Sequence, residues 1–221
     1  MDNQTVVPQY DVTPTIEVDY ARLKIPTAYK VVNGFAVVRD YEPLIDVEWD
    51  DARQCVEAEA RWLARAARAS TASEFDQILA SAAEEESPDD FDWLFRYLDV
   101  GVAGLTLVLS AAHHTTCYSC RPHAAIKGER VPQVIMAAEP QRVHVLAEHA
   151  ARAGCGVESM EDGLVCVYAA SVDHIHALAD MMLAARGELV ELPQPSWRPR
   201  VQEYLDCEDP DEFQWSDDET G

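Results

Sequence analysis

Residues Cys155–Ala170 read CGVESMEDGLVCVYAA. Two β-prone runs, Cys155 to Met160 and Leu164 to Ala170, flank Glu161-Asp162-Gly163, whose glycine gives a tight reversal its conformational freedom. The stretch predicts a β-hairpin. Ser171 follows as a helix cap, and Ile175, Leu178, Ala179, Met182 and Leu183 fall at i, i+3, i+4, i+7 and i+8 before Gly187. On the other side, Pro140 to Ala153 carries Val143, Leu146, Ala147 and Ala150 on one face, and Gly154 stops it. Val131 to Ala138 reads as a buried strand. Paired strands alternating with single helices predict an antiparallel-rich sheet, in the order β-β-α-β-β-α, with helices on one face.

The pattern ahead of this block is mainly helical. Gly101 to Ala112 is apolar nearly all round, which predicts a central buried helix. Asp50 to Ala69 places Val56, Trp62, Leu63 and Ala66 near helical spacing. Thr71-Ala72-Ser73-Glu74 is a capping box opening a helix with Phe75, Ile78, Leu79 and Ala82 inward. Ser87-Pro88-Asp89-Asp90 restarts helix, with Phe91, Leu94, Phe95 and Leu98 buried. Tyr29 to Val38 holds two β-prone runs around Asn33-Gly34, the pair that suits a type I′ turn, and predicts a second hairpin. The fold class is therefore α+β. Its expected parts are an N-terminal arm and hairpin over 1–48, an α+β core domain over 49–191, and an acidic, disordered tail over 192–221.

Composition narrows the function. The 221 residues are 48 % hydrophobic, enough for one core. No run reaches the roughly 18 apolar residues of a membrane span, and the first residues lack the regions of a signal peptide. A cytoplasmic protein with mostly reduced cysteines is expected, with no membrane partner. Acids outnumber bases 40 to 17, giving a net charge of −23. Phosphate-backbone binders need the opposite balance, so direct nucleic-acid binding is not expected. The acidity can serve solubility in a salty cytoplasm, complement a basic protein partner, or imitate nucleic acid towards an enzyme that binds it. The last 21 residues hold nine acids and no Lys or Arg, yet include Phe213 and Trp215, aromatics able to dock in a basic, greasy groove on a partner.

Chemistry-bearing groups gather once, at His113-His114-Thr115-Thr116-Cys117-Tyr118-Ser119-Cys120-Arg121-Pro122-His123. Three readings stay open. Cys117, Cys120 and His123 supply thiolate and imidazole ligands of the kind zinc prefers, though no second ligand pair exists. Cys120 with His123 or His114 can form a thiolate–imidazolium pair. Alternatively, Thr115 to Cys120 is simply a strand, with His113 and His114 meeting the dipole of the preceding helix. Cys120 and His123 are the candidate catalytic residues, and His114 and Ser119 the supporting ligand-binding ones. The loop His113 to Ala125 is expected to border a cleft. His144, His149, His174 and His176 are expected at the surface.

The apolar helix running into Thr116-Cys117-Tyr118-Ser119-Cys120-Arg121-Pro122-His123 resembles small bacterial and phage proteins with a T-x-x-S-C-x-G-H signature. More distantly, it is similar to the S-S-C-S-G-R loop of the tRNA wybutosine-synthesis methyltransferase family. The likeness covers roughly residues 94–186. This chain has Pro122 where both patterns carry Gly, and His123 where the methyltransferase carries Arg. The resemblance implies an α+β fold with a ligand-facing loop and, from the methyltransferase side, S-adenosylmethionine. The expected function is a non-enzymatic, acidic interaction or regulatory protein in immunity, defence or anti-defence, binding a basic partner. The alternative is a metal- or thiol-dependent enzyme on the Cys117/Cys120/His123 loop, or a methyltransferase-like protein.

Overall fold

The computed structural model describes residues 6–35, 44–84, 92–122, 131–210 and 213–216. Its fold is α+β, with a five-stranded mixed sheet in the order β1-β4-β5-β3-β2. The strands are β1 (Ile16–Glu17), β2 (Thr115–Cys120), β3 (Gln133–Ala137), β4 (Cys155–Ser159) and β5 (Val165–Ala169). The expected hairpin is β4–β5, in register from Cys155 opposite Ala169 to Ser159 opposite Val165. Gly163, at φ 84°, makes its turn. β5 pairs antiparallel with both β3 and β4, so β3 and β4 run the same way with β5 between them. α5 (Pro140–Ala153) connects these two, making a split β-α-β unit. β1 alone pairs in parallel, on β4.

Alternation along the strands sorts the two faces. Val134, Met136, Val157, Val165, Val167 and Ala169 join the main core with α5 and α6 (Val172–Ala184). Above lie α2 (Trp49–Ala66), α3 (Ala72–Ser81) and the buried α4 (Ala103–Ala111). The opposite face carries a smaller cluster of Cys117, Ile135, Ala137, Leu164, Cys166 and Tyr168, with Val12 of the N-terminal arm against it. Helices thus cover one face, as the pattern predicts. Gly156 lets the arm lie close: a Cβ there would meet the Tyr168 ring 2.3 Å away, and the Tyr168 hydroxyl is 3.3 Å from the Thr15 amide, its donor. Overpacking of this kind costs about 1–3 kcal/mol. Gly156→Ala is expected to lower the unfolding midpoint and speed limited proteolysis of the arm.

Three expectations are corrected. Tyr29 to Asn33 is not half a hairpin but part of α1 (Ala28–Asn33), capped by Thr27 and closed by Gly34 at φ 80°. Ala28 and Val31 are buried against Trp197 and Val201, so tertiary packing overrides the β propensity of the valines. Residues 36–38, most of its second run, lie outside the described residues, as does the helix start at 87–90. A 3-10 turn, Asp92–Arg96, follows that start. Beyond α6, helix resumes as α7 (Arg186–Glu191), passing through Gly187 rather than stopping at it. Lastly, residues 198–205 form α8 (Arg198–Leu205), with Val201 fully buried, so the tail expected from 192 begins with an ordered, packed helix.

Candidate functional site

The organising element is α4. It has no charged residue, Val102 caps it without a side-chain hydrogen bond, and every residue in it is buried. A buried helix still exposes unpaired amides at one end and carbonyls at the other, with partial charges of about half a unit. Both ends are met by charges from other helices. Glu59 of α2, fully buried, accepts hydrogen bonds from the amides of Gly101 at 2.7 Å and Gly104 at 3.2 Å. Its other oxygen accepts from His176 Nδ1 of α6 at 2.9 Å. At the far end, Arg142 of α5 donates to Ala112 O at 2.9 Å and Pro193 O at 2.8 Å, with Glu139 at 3.5 Å.

The two histidines after α4 close it. His113 N bonds Ser110 O and His114 N bonds Leu109 O, the paired bonds of a Schellman turn. His113 takes the left-handed position, φ 61°, that glycine usually fills. Burial and the nearby Arg142 and Arg198 charges lower its pKa to about 4. His114 is buried, its Nδ1 3.2 Å from Leu109 O, and burial with the Arg142 charge lowers its pKa to about 3. Both imidazoles are uncharged at neutral pH.

Thr115 to Cys120 is strand β2, with its register broken between Thr116 and Tyr118. Cys117 sits at that irregularity and joins the apolar cluster on the sheet face away from the helices, donating to Ile135 O at 3.4 Å. Burial, with the Asp162 charge, pushes its thiol up to about 12. The thiol of Cys120, half-buried, lies 3.1 Å from Arg121 O and 3.4 Å from Asp99 Oδ2, and the Arg121 amide donates to the same carboxylate oxygen. Ser119 Oγ is buried without a partner. His123 lies outside the described residues. Among the described residues no three His, Cys, Asp or Glu groups are arranged to hold a metal ion.

The described cysteines differ sharply in exposure. Cys55, Cys117, Cys155 and Cys166 are buried, while Cys120 and Cys207 are half-exposed. Labelling the native protein with a thiol reagent is therefore expected to modify Cys207 and Cys120 and spare the other four until unfolding. Mass spectrometry of the labelled peptides checks this.

A cleft of about 160 Å³ lies beside the Schellman turn, between α1, the segment 44–49, the end of α4 and the start of α8. His113, His114 and Thr115 line it with Asp46, Trp49, Trp197 and Arg198; Ser119 and Cys120 do not. Among the described residues of the expected loop, His113, His114 and Thr115 border this cleft. Phe213 and Trp215, expected to seek a partner, are packed within the chain. Trp215 lies 5.7 Å from Tyr204, nearly parallel, and edge-on to Tyr29, while Arg200 sits over both tail rings.

The sequence reading missed Glu59 and Arg142, whose charges meet the two ends of α4. Glu59 occupies the apolar stripe of α2, three residues after Val56 and four before Leu63, and an acid on such a stripe was the available signal. His149 is buried and His176 largely so, contrary to expectation. No helix among the described residues is long and apolar enough to cross a membrane. Compared with known proteins, the chain matches no family model, no curated protein and no solved structure at a significant level.

Proposed function

We propose that this chain is an acidic, non-enzymatic interaction protein that binds a basic protein partner along its β1–β4 edge. One observation carries the reading: Glu17 and Glu158 are exposed, register partners on adjacent strands. Like charges side by side across strands destabilise a sheet, and a cationic partner turns that cost into attraction. Exposed Asp19, Glu161 and Asp162 continue the acidic edge. Apolar anchors accompany them, with Ile16 41 %, Tyr20 38 % and Met160 37 % exposed. Interfaces commonly combine such anchors with complementary charge. The edge strand is only two residues long, which blunts backbone pairing and leaves the contact to side chains.

The test is capture from the native host with the full chain against a Glu17→Lys/Glu158→Lys variant, at low and high salt. A basic protein is expected to be retained by the wild type at low salt, released as salt rises, and lost with the variant. Equal retention by both chains, or none by either, rejects the reading.

A further inference from the structure

The cleft beside α4 has features that packing alone does not call for. Among the described residues only two non-glycines have positive φ, Asp46 and His113, each at 61°, and both line it; the Schellman turn accounts for His113 but not for Asp46. Backbone held in this region costs about 1–3 kcal/mol and tends to gather at ligand clamps. Thr115 Oγ1 and Trp197 Nε1, from two more lining residues, are buried without a hydrogen-bond partner. An indole N–H can only donate, so Trp197 lacks an acceptor.

Charge then selects the ligand. Arg198 Nη2 lies 3.3 Å from Asp46 Oδ1, an ion pair between two lining residues, with side chains 25 % and 54 % exposed. Partly exposed pairs contribute little stability, so exchanging each partner for a ligand group of the same sign is cheap. A simple anion would meet Asp46 and a simple cation would meet Arg198. A molecule carrying both signs satisfies both. Arginine recognises carboxylates with a two-pronged fork, and the neighbouring Trp197 N–H adds a third donor. Asp46 and the uncharged imidazole of His113 are acceptors suited to an ammonium group. Trp49 and Trp197 offer aromatic surface to a side chain. At about 160 Å³ the cleft, which is open on one side, is on the scale of a small molecule.

We propose that this cleft binds a free α-amino acid with an apolar side chain, its carboxylate on Arg198 and Trp197 Nε1 and its ammonium on Asp46 and His113. The ligand replaces the Arg198–Asp46 pair. Because Val31 and Trp197 belong to the same apolar cluster as Trp215, occupancy also bears on the packing of the tail.

The test uses the isotope-labelled full-length protein titrated with L-leucine, L-methionine and L-phenylalanine, followed at the Trp197 indole resonance. At least one should give a saturable shift in the millimolar range or tighter. N-acetyl-L-leucine, without the ammonium, and L-leucinamide, without the carboxylate, should each bind at least tenfold more weakly than L-leucine. Arg198→Gln and, on the exposed partner, Asp46→Asn should each weaken binding tenfold or more while resonances of α6 stay in place. The proposal is overturned by no saturable shift with any of the three amino acids, by equal binding of the blocked forms, or by undiminished binding to either folded variant.

Discussion

Glu59→Ala is expected to destabilise the protein by about 3–5 kcal/mol, the cost of removing one partner from a buried charge pair. That is a large share of the roughly 5–15 kcal/mol that holds a typical domain together. The substitution strips the N-terminal amides of α4 of their acceptor and leaves the His176 ring, only 15 % exposed, without its carboxylate. The surroundings are built for this carboxylate. A Cβ on Gly104 would come within 2.6 Å of Glu59 Oε2, and a Cβ on Gly101, at φ 104°, within 2.7 Å of Val172. Glu59→Gln keeps the shape and an acceptor, so it is expected to cost less than alanine. Denaturant unfolding of the two variants measures the difference.

The same pair gives stability a pH dependence on its alkaline side. Burial alone would lower the His176 pKa, but the hydrogen bond and charge of Glu59, with Asp180 and Asp173, outweigh it and raise the pKa. A raised folded pKa means that the native state holds the proton more tightly than the unfolded chain. The stabilisation is complete below the unfolded value of about 6.5 and is lost as pH rises through the folded pKa. In Glu59→Gln the His176 resonances should titrate at lower pH than in the wild type, and the alkaline loss of stability should shrink. An unchanged His176 titration would show that the carboxylate is not what raises it.

Much of the sheet domain was legible in the residues because local signals and tertiary packing agree there. Gly154 and Gly163 take the positive φ their turns require, at 74° and 84°, and α5 runs from Pro140 to Ala153 as its cap and stop predict. Disagreement arises where a contact distant in sequence decides. Val31 and Val32 belong to a helix because Trp197 and Val201, more than 160 residues on, supply the surface it packs against. The Cys-x-x-Cys spacing suggested convergence, but β2 consigns Cys117 to the cluster beneath the N-terminal arm and Cys120 to Arg121 O and Asp99. Sequence spacing measures separation along a strand, not distance in space, and the break in β2 pairing adds a shift that no pattern revealed. The charges on α4 were harder still. A helix without ionisable groups gives no hint that other helices will neutralise its ends.

Arg142→Met is expected to cost about 3 kcal/mol, since hydrogen bonds from a charged donor contribute about 1.5–3 kcal/mol and the Ala112 carbonyl left behind is buried. Methionine fills the space of the aliphatic stem but returns no donor to Ala112 O or Pro193 O. Arg142→Lys should recover at most half, because one ammonium cannot reproduce a planar fork spanning two carbonyls. Chemical unfolding ranks the three proteins. The arginine also acts on the histidines of the turn. After burial, its charge is the largest influence lowering both His113 and His114, so in Arg142→Met both should titrate at higher pH while staying below the ordinary value. Their linkage runs opposite to that of His176. With folded pKa values lowered to about 4 and about 3, the unfolded chain binds protons that the native state refuses, so stability falls as pH drops below about 6.5. The two ends of α4 therefore press on the stability profile from opposite sides. His176 at the N-terminus removes stability as pH rises above about 6.5, and His113 and His114 at the C-terminus remove it as pH falls below that value. A stability maximum near neutrality is expected, narrower on the acid side in the wild type than in Arg142→Met. Unfolding midpoints across that range locate it, and a profile that stayed flat between the two arms would show that α4 is not held by charge at its ends.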